Sequence, residues 1–468
     1  MEPVSSLEIL YKDSTALFWA IAFTASRHHP RHSSLYHGLR EPFQILLLNL
    51  FSTPVQSLKD LQALLIVCQW PFEVERHSED PSWQHIGAVV NAALHMGLDK
   101  PKNEVLFGSR RANRSINLYD PKYRRRTWMK VFETSTQLST WQGLQPHISS
   151  ASSLQRLAEF CEEETAGEVI AMTEIQRHVA RNTISLEDLS IHGPQVSLVR
   201  YFTQEMGAIR KRYTNVWTAS TEINLQGAMV YVLTHCLLLA DNDQDAETQD
   251  PDAQQFVTLI MQQGHDAAIR LIKVVEELGL ATATNPAYTR AEDGGAPLLA
   301  HPKQHFRLAF QACLFLLKYL DHSLTASTSD QDAARTAVLK VHQIFKQFHS
   351  REEFQRAART LEVLARAVVP GGRRIKTIVR TRMGASLNYN AVWTAAELRG
   401  RQHDPGFTVA ASAALEPIER YPLVSASAPE NVFPWGAWDD AAYDENAFGL
   451  EPQLFSGFPT HMELFQNH

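Results

Sequence analysis

The four cysteines, Cys68, Cys161, Cys236 and Cys313, are the residues best suited to metal or redox chemistry, and they stand far apart. None forms a Cys-x-x-Cys pair, so spacing alone excludes zinc-knuckle and thioredoxin-type arrangements. Each lies inside an apolar stretch and reads as a buried small hydrophobe in a reducing compartment. His301 and His305 are one helical turn apart, but Pro302 and the absence of the required glutamate remove a zincin reading. The run RHHPRH at 27–32 is rich in imidazole by count only and reads as a surface loop. A helical terpene-cyclase site needs an Asp-Asp-x-x-Asp cluster to hold magnesium and diphosphate. The Asp439-Asp440 pair has its next acid at Asp444, one residue too far along and in the C-terminal tail. There is no Gly-x-Ser-x-Gly elbow, Walker loop or Gly-x-Gly-x-x-Gly turn. No catalytic, cofactor-binding or metal-binding residue is therefore assigned, and the chain reads as non-enzymatic.

Charge chemistry is the next option. Three basic runs, RRANR at 110–114, KYRRR at 122–126 and GGRRIKTIVRTR at 371–382, have the composition of nucleic-acid patches or nuclear import signals. The formal net charge is nevertheless −7. A domain whose own surface wrapped DNA would be distinctly basic. A surface that itself wraps DNA is therefore not expected.

The elements that must position these residues follow from periodicity. Of the 468 residues, 44% are hydrophobic, enough for a sizeable core. The segment from Leu7 to Arg27 reads as one helix, and Pro42 as a first-turn proline ahead of FQILLLNLF. Leu61, Leu64, Leu65 and Cys68 repeat at i, i+3, i+4 and i+7. After the loop VERHSEDPSW, Asp80 is the expected N-cap and Pro81 the first helical residue. The helix so opened turns Ile86, Val89, Val90, Ala93 and Leu94 inward and ends at Gly97. A loop over 101–121 precedes a helix from Pro121 to Gly143, with Trp128, Val131, Phe132, Ser135 and Leu138 on one face. Further apolar helices are expected near Val196–Trp217, Ile223–Leu239, Phe256–Leu278, His305–Leu320, Asp332–Phe348 and Glu352–Val368. The most apolar run, Ala228 to Ala240, is too short to span a bilayer, and no secretory signal opens the sequence, so no membrane partner is expected. Alternation of strand period is nearly absent. The fold class is all-α, with a helical region at 1–150 and a continuing helical body at 151–400.

From about residue 401 periodicity disappears, and beyond Arg420 there is no lysine or arginine. Acids there alternate with Phe433, Trp435, Trp438, Tyr443, Phe448, Phe455, Phe458 and Phe465. This is the composition of a disordered acidic activation segment: the acids keep the aromatics solvated until a partner's groove receives them. The segment 430–468 is the candidate, and the seven aromatics from Phe433 to Phe458 are its candidate contacts.

Two consecutive segments also carry a family resemblance. LQALLIVCQWPFEVERHSEDPSWQHIGAVVNAALHMGLDKP (61–101) and YRRRTWMKVFETSTQLSTWQGLQPHI (123–148) resemble the middle homology region of fungal-specific transcription factors. In that region a leucine-rich helix, a loop and a Trp helix ending in Gly-Leu precede an Arg-Arg-x-Trp helix ending in Gly-x-Pro. The matching positions are Leu61, Leu64, Trp83, Gly87, Ala92, Gly97, Leu98, Arg125, Arg126, Trp128, Gly143 and Pro146. The stretch ALFWAIAFTASRHH is similar to the start of the same region.

The resemblance implies a nuclear regulator of gene expression, of a metabolic or secondary-metabolite gene set. Its helical body would sense an effector or pair with a second subunit, as a homodimer or heterodimer, and its tail would engage a coactivator or the transcription machinery. Members of this family carry a six-cysteine, two-zinc cluster that reads DNA. Four scattered cysteines do not build one, so zinc is expected only if a further N-terminal segment supplies the cluster. The residues themselves also admit a helical scaffold, a small-molecule-binding protein, or the truncated remnant of such a regulator. Within the family pattern Trp83 and Trp128 read as buried anchors. The arginines beside Trp128 are expected to pair with the acidic loop at 79–81 or to stack on the indole.

Overall fold

Short polar side chains start six of the fifteen helices, because the first turn leaves backbone N–H groups unpaired and a serine or aspartate oxygen accepts from them. Ser6, Ser14, Ser57, Asp120, Ser150 and Ser327 each do this. The computed structural model describes residues 6–27, 34–55, 57–75, 79–100, 120–189, 196–240, 251–283, 297–322, 327–348, 351–368 and 375–403. Over these the helices are α1 (Leu7–Asp13), α2 (Thr15–Ser26), α3 (Ser34–Ser52), α4 (Leu58–Gln69), α5 (Ser82–His95), α6 (Pro121–Gln142), α7 (Ala151–Glu163) and α8 (Gly167–Leu189). They continue with α9 (Val196–Arg212), α10 (Ala219–Ala240), α11 (Pro251–Ala283), α12 (Lys303–His322), α13 (Thr328–Lys346), α14 (Glu352–Ala367) and α15 (Ser386–His403). No strand occurs among the described residues, so the fold is all-α.

Local chemistry corrects several expectations. The segment from Leu7 is two helices. Ser14, in extended backbone, ends α1, caps α2 through Leu17 N–H and donates its hydroxyl to Asp60. Pro42 is not in a first turn but lies inside α3, where it lacks the N–H that would bond the Gly38 carbonyl four residues back. Helix α5 begins at Ser82, one residue later than expected; Asp80 still accepts from Ser82 N–H at 2.9 Å. Leu94 is 42% exposed rather than turned inward. Trp128 is fully buried, whereas Trp83 is only half-buried, with its ring against His147.

Two apolar cores result. One gathers α1–α7, from Leu10 to Cys161. The other gathers α9–α15, from Val199 to Ala395. Helix α8 serves both, giving Ile170 and Ala180 to the first and Ile175, Val179 and Leu186 to the second. Helix α10 is long and apolar enough to cross a membrane, but 83% of its apolar window is buried inside the molecule. In α12 every residue from Gln304 to Asp321 is buried. A helix enclosed on all sides must satisfy its polar groups inside the protein. Gln311 and Lys318 donate to the Gly384 and Ile375 carbonyls, and Asp321 accepts from Ile375 N–H at 2.8 Å. The extended chain at 375–380 is thereby fixed along α12, and Asn390 holds its other side through Ile378 and Val379 N–H.

Helices α5 and α6 stop where glycine permits a left-handed turn. Gly97 has φ 66° and Gly143 φ 65°. A β-carbon at Gly143 would also collide with the Arg382 carbonyl, which joins the end of α6 to the C-terminal helices. Gly207, by contrast, has open space around it in mid-helix α9. Gly143→Ala is expected to lower the free energy of unfolding by more than about 2 kcal/mol, and Gly207→Ala to raise it by roughly 0.5 kcal/mol. Urea titration of the two variants checks the opposite signs.

Candidate functional site

The loop before α5 delivers Asp80 to the beginning of α12, 223 residues further along the chain. Its carboxylate is 1% exposed. One oxygen accepts from Ser82; the other accepts from Lys303 Nζ and from Arg307, each at 2.8 Å. Lys303 and Arg307 are i, i+4 on α12 and thus reach the same point. Lys303 also meets Glu353 of α14 at 2.7 Å, and the Arg307 guanidinium lies over the Trp141 indole, 5.6 Å from its centroid. Burial alone would raise the Asp80 carboxyl, but Lys303 and Arg307 reverse the effect and hold it well below the usual carboxylate range.

This ion cluster forms the polar edge of a cavity of about 380 Å³. Trp83 and Gln84 of α5 and Trp141 and Gln142 of α6 line one side. Phe306 and Phe310 of α12, Phe345 of α13, Phe354 and Ala357 of α14, and Asn388, Tyr389 and Val392 of α15 line the rest. Its size falls within the range of small-molecule sites, and seven of its sixteen lining residues are aromatic. Tyr389 donates to the Gln142 carbonyl at 3.5 Å, and Trp70 at the end of α4 donates to the Ala300 carbonyl at 3.1 Å. These contacts tie the two halves together around the cavity.

The arginines beside Trp128 do not pair with the 79–81 loop, contrary to expectation. Arg124 donates to the Gly97 carbonyl at the end of α5, and Arg125 meets Glu163. Arg126 gives Nε and a terminal nitrogen to Glu164 at 3.0 and 2.8 Å. Burial would raise the Glu164 carboxyl, but Arg126, with the Ala166 and Thr165 N–H groups, takes it down to about 2. Thus Arg124 fastens α5 to α6 and Arg126 fastens α6 to the start of α8. The 79–81 loop is left to α12.

The candidate tail contacts Phe433, Trp435, Trp438, Tyr443, Phe448, Phe455 and Phe458 lie outside the described residues, as do the basic runs 110–114 and 371–374. The four cysteines are buried; burial pushes the Cys161 and Cys236 thiols up to about 12 and raises Cys68 and Cys313 further. Among the described residues no group of three or more His, Cys, Asp or Glu could hold a metal ion. His305 is hydrogen-bonded to Ser220 at 3.0 Å, and His301 to Thr282 at 3.1 Å. Sequence reasoning passed over Lys303, Arg307 and Trp141. The available signal was the pair of cations one turn apart at the head of an otherwise apolar helix.

Residues 8–190 match the fungal specific transcription factor domain. The chain is similar to the transcriptional regulatory protein SEF1 of Candida albicans, 31% identical over 147 residues, or 31% of this chain and 16% of that protein. It is also similar to the putative transcription factor SEF1 of Kluyveromyces lactis, 23% identical over 418 residues, 86% of this chain and 35% of that protein. The matched regions thus span about a third or less of these relatives. No solved structure matches the chain.

Asp80→Asn leaves buried Arg307 without an anion and Lys303 with Glu353 alone, and is expected to cost about 3–5 kcal/mol of unfolding free energy at neutral pH. Because the Asp80 carboxyl is depressed on folding, its contribution is present above the unfolded value near pH 4 and is lost as pH falls through the lower folded value. Urea midpoints of wild type and variant should therefore keep a constant gap from about pH 8 to pH 4 and converge only below that.

Proposed function

We propose that this chain is a transcription regulator that acts in the nucleus on a fungal metabolic or secondary-metabolite gene set. The match of residues 8–190 to the fungal specific transcription factor domain carries the proposal. The relatives' names point to transcription rather than catalysis, which agrees with a body whose conspicuous polar cluster ties helices together. In this reading the helical body is the regulatory module and reaches DNA through a partner or a further segment. Residues 430–468, through Phe433, Trp435, Trp438 and their aromatic neighbours, engage a coactivator. A second reading, a small-molecule-binding helical protein without transcriptional output, is favoured by the aromatic cavity alone.

Fusion of residues 421–468 to a foreign DNA-binding domain separates the two. The regulator reading expects reporter activation at least ten times that of the DNA-binding domain alone, falling to near background when Trp435, Trp438 and Phe448 become alanine. A silent fusion of both the tail and the full chain would favour the second reading.

A further inference from the structure

We infer that the cavity between α5, α6 and α12–α15 is a binding site for an uncharged, planar, conjugated small molecule that acts as an effector. The effector role rests on the regulator reading above; the binding site itself does not.

The shape of the walls argues for a flat ligand. Indole and phenyl rings from five helices (Trp83, Trp141, Phe306, Phe345 and Phe354 among them) face the same space, joined by the Tyr389 phenol. Aromatic faces stack on, or meet edge-on, other planar π-systems. The space of about 380 Å³ among these rings opens on one side to solvent, and an apolar concave surface facing water gains from a ligand that covers it.

Charge decides the ligand's class. The four ionised residues of the lining, Asp80, Glu353, Lys303 and Arg307, are two anions and two cations already joined in one chain of contacts of 2.7–2.8 Å. An anionic or cationic ligand would have to break one of those buried pairs, which is costly. A neutral ligand leaves them intact. Arg307 Nε and Asn388 Oδ1 have no hydrogen-bond partner but are closed off from the cavity, so the walls offer a ligand chiefly ring faces.

Position explains why occupancy would matter. The lining comes from α5 and α6, inside the matched domain, and from α12–α15, beyond it. A ligand touching both sides adds its binding energy to their association, and any rearrangement that parts them is opposed by the ligand.

The test uses the purified full chain and two environment-sensitive naphthalene dyes, neutral prodan and anionic anilinonaphthalene sulfonate. Prodan should bind saturably at one site with blue-shifted emission, and at least tenfold more tightly than the sulfonate. Filling the cavity with Ala357→Trp from α14 should weaken prodan at least tenfold while the melting temperature is kept; Val392→Trp, from α15, serves if the first variant does not fold. Parent-like prodan affinity in a folded filled variant would overturn the inference, and so would a preference for the sulfonate at this site. Prodan affinity that rises tenfold when Trp435, Trp438 and Phe448 become alanine would overturn it too, since the chain's own tail would then be the occupant. If the reporter is silent while the filled variant loses prodan, the regulator reading falls and the site stands. An active reporter with no cavity-dependent binding removes the site alone.

Discussion

The buried carboxylate of Asp80 is the strongest polar tie between the molecule's two halves. Taking an aspartate, a lysine and an arginine out of water is expensive, and mutual attraction repays it only when the geometry is good and the remaining polar atoms find partners. Asp80 meets those conditions from three directions, through the first turn of its own helix and two cations a helical turn apart on α12. Apolar packing alone lets two helical layers slide with little penalty, whereas a buried ion cluster is satisfied in one alignment only. The start of α5 is thereby pinned to the start of α12, and the cavity with its aromatic walls exists because that alignment brings Trp83 and Trp141 opposite Phe306 and Phe354.

The arginine-rich start of α6 does complementary work within the matched domain. Arg124 donates to the Gly97 carbonyl just past the end of α5, which also accepts from Lys100 N–H, near a helix terminus that carries partial negative charge. Arg126 neutralises Glu164, whose carboxylate also receives the N–H groups leading into α8. Helix α8 then passes from one core to the other. The Arg-Arg-x-Trp run at 125–128 thus has a mechanical meaning here: the tryptophan fills the first core, and the arginines fix the helices on either side of it.

Much of this was legible in the sequence, and the rest failed for identifiable reasons. The fold class, the stripe of α4, the start of α6 at Pro121 and the glycine stops at 97 and 143 followed from period, proline and left-handed backbone, which are local properties. The break at Ser14 falls in the polar run Lys12–Thr15, which a solvent-facing helix turn would also carry, and the decisive partner, Asp60, lies 46 residues away. Pro42 was misplaced because tertiary contacts of Tyr36, Phe43 and Leu47 sustain α3 through it. The site was less legible still. Asp80 looked like a cap, which it is, but nothing near it announces Lys303 and Arg307. Helices α7, α8 and α15 had gone unassigned; α8 alternates its burial between two cores, and α15 mixes polar and apolar residues around its circumference, so neither shows one clean stripe.

The claim that one ion cluster joins the halves is tested most directly by a double-mutant cycle on unfolding free energy, with Asp80→Ala, Arg307→Met and the pair. If the cluster fixes the alignment, the coupling between the two positions is at least about 2 kcal/mol, and the double variant is little worse than either single one. A coupling below about 0.5 kcal/mol, with the two losses simply adding, would show that Asp80 and Arg307 contribute separately and that the alignment rests on apolar packing alone.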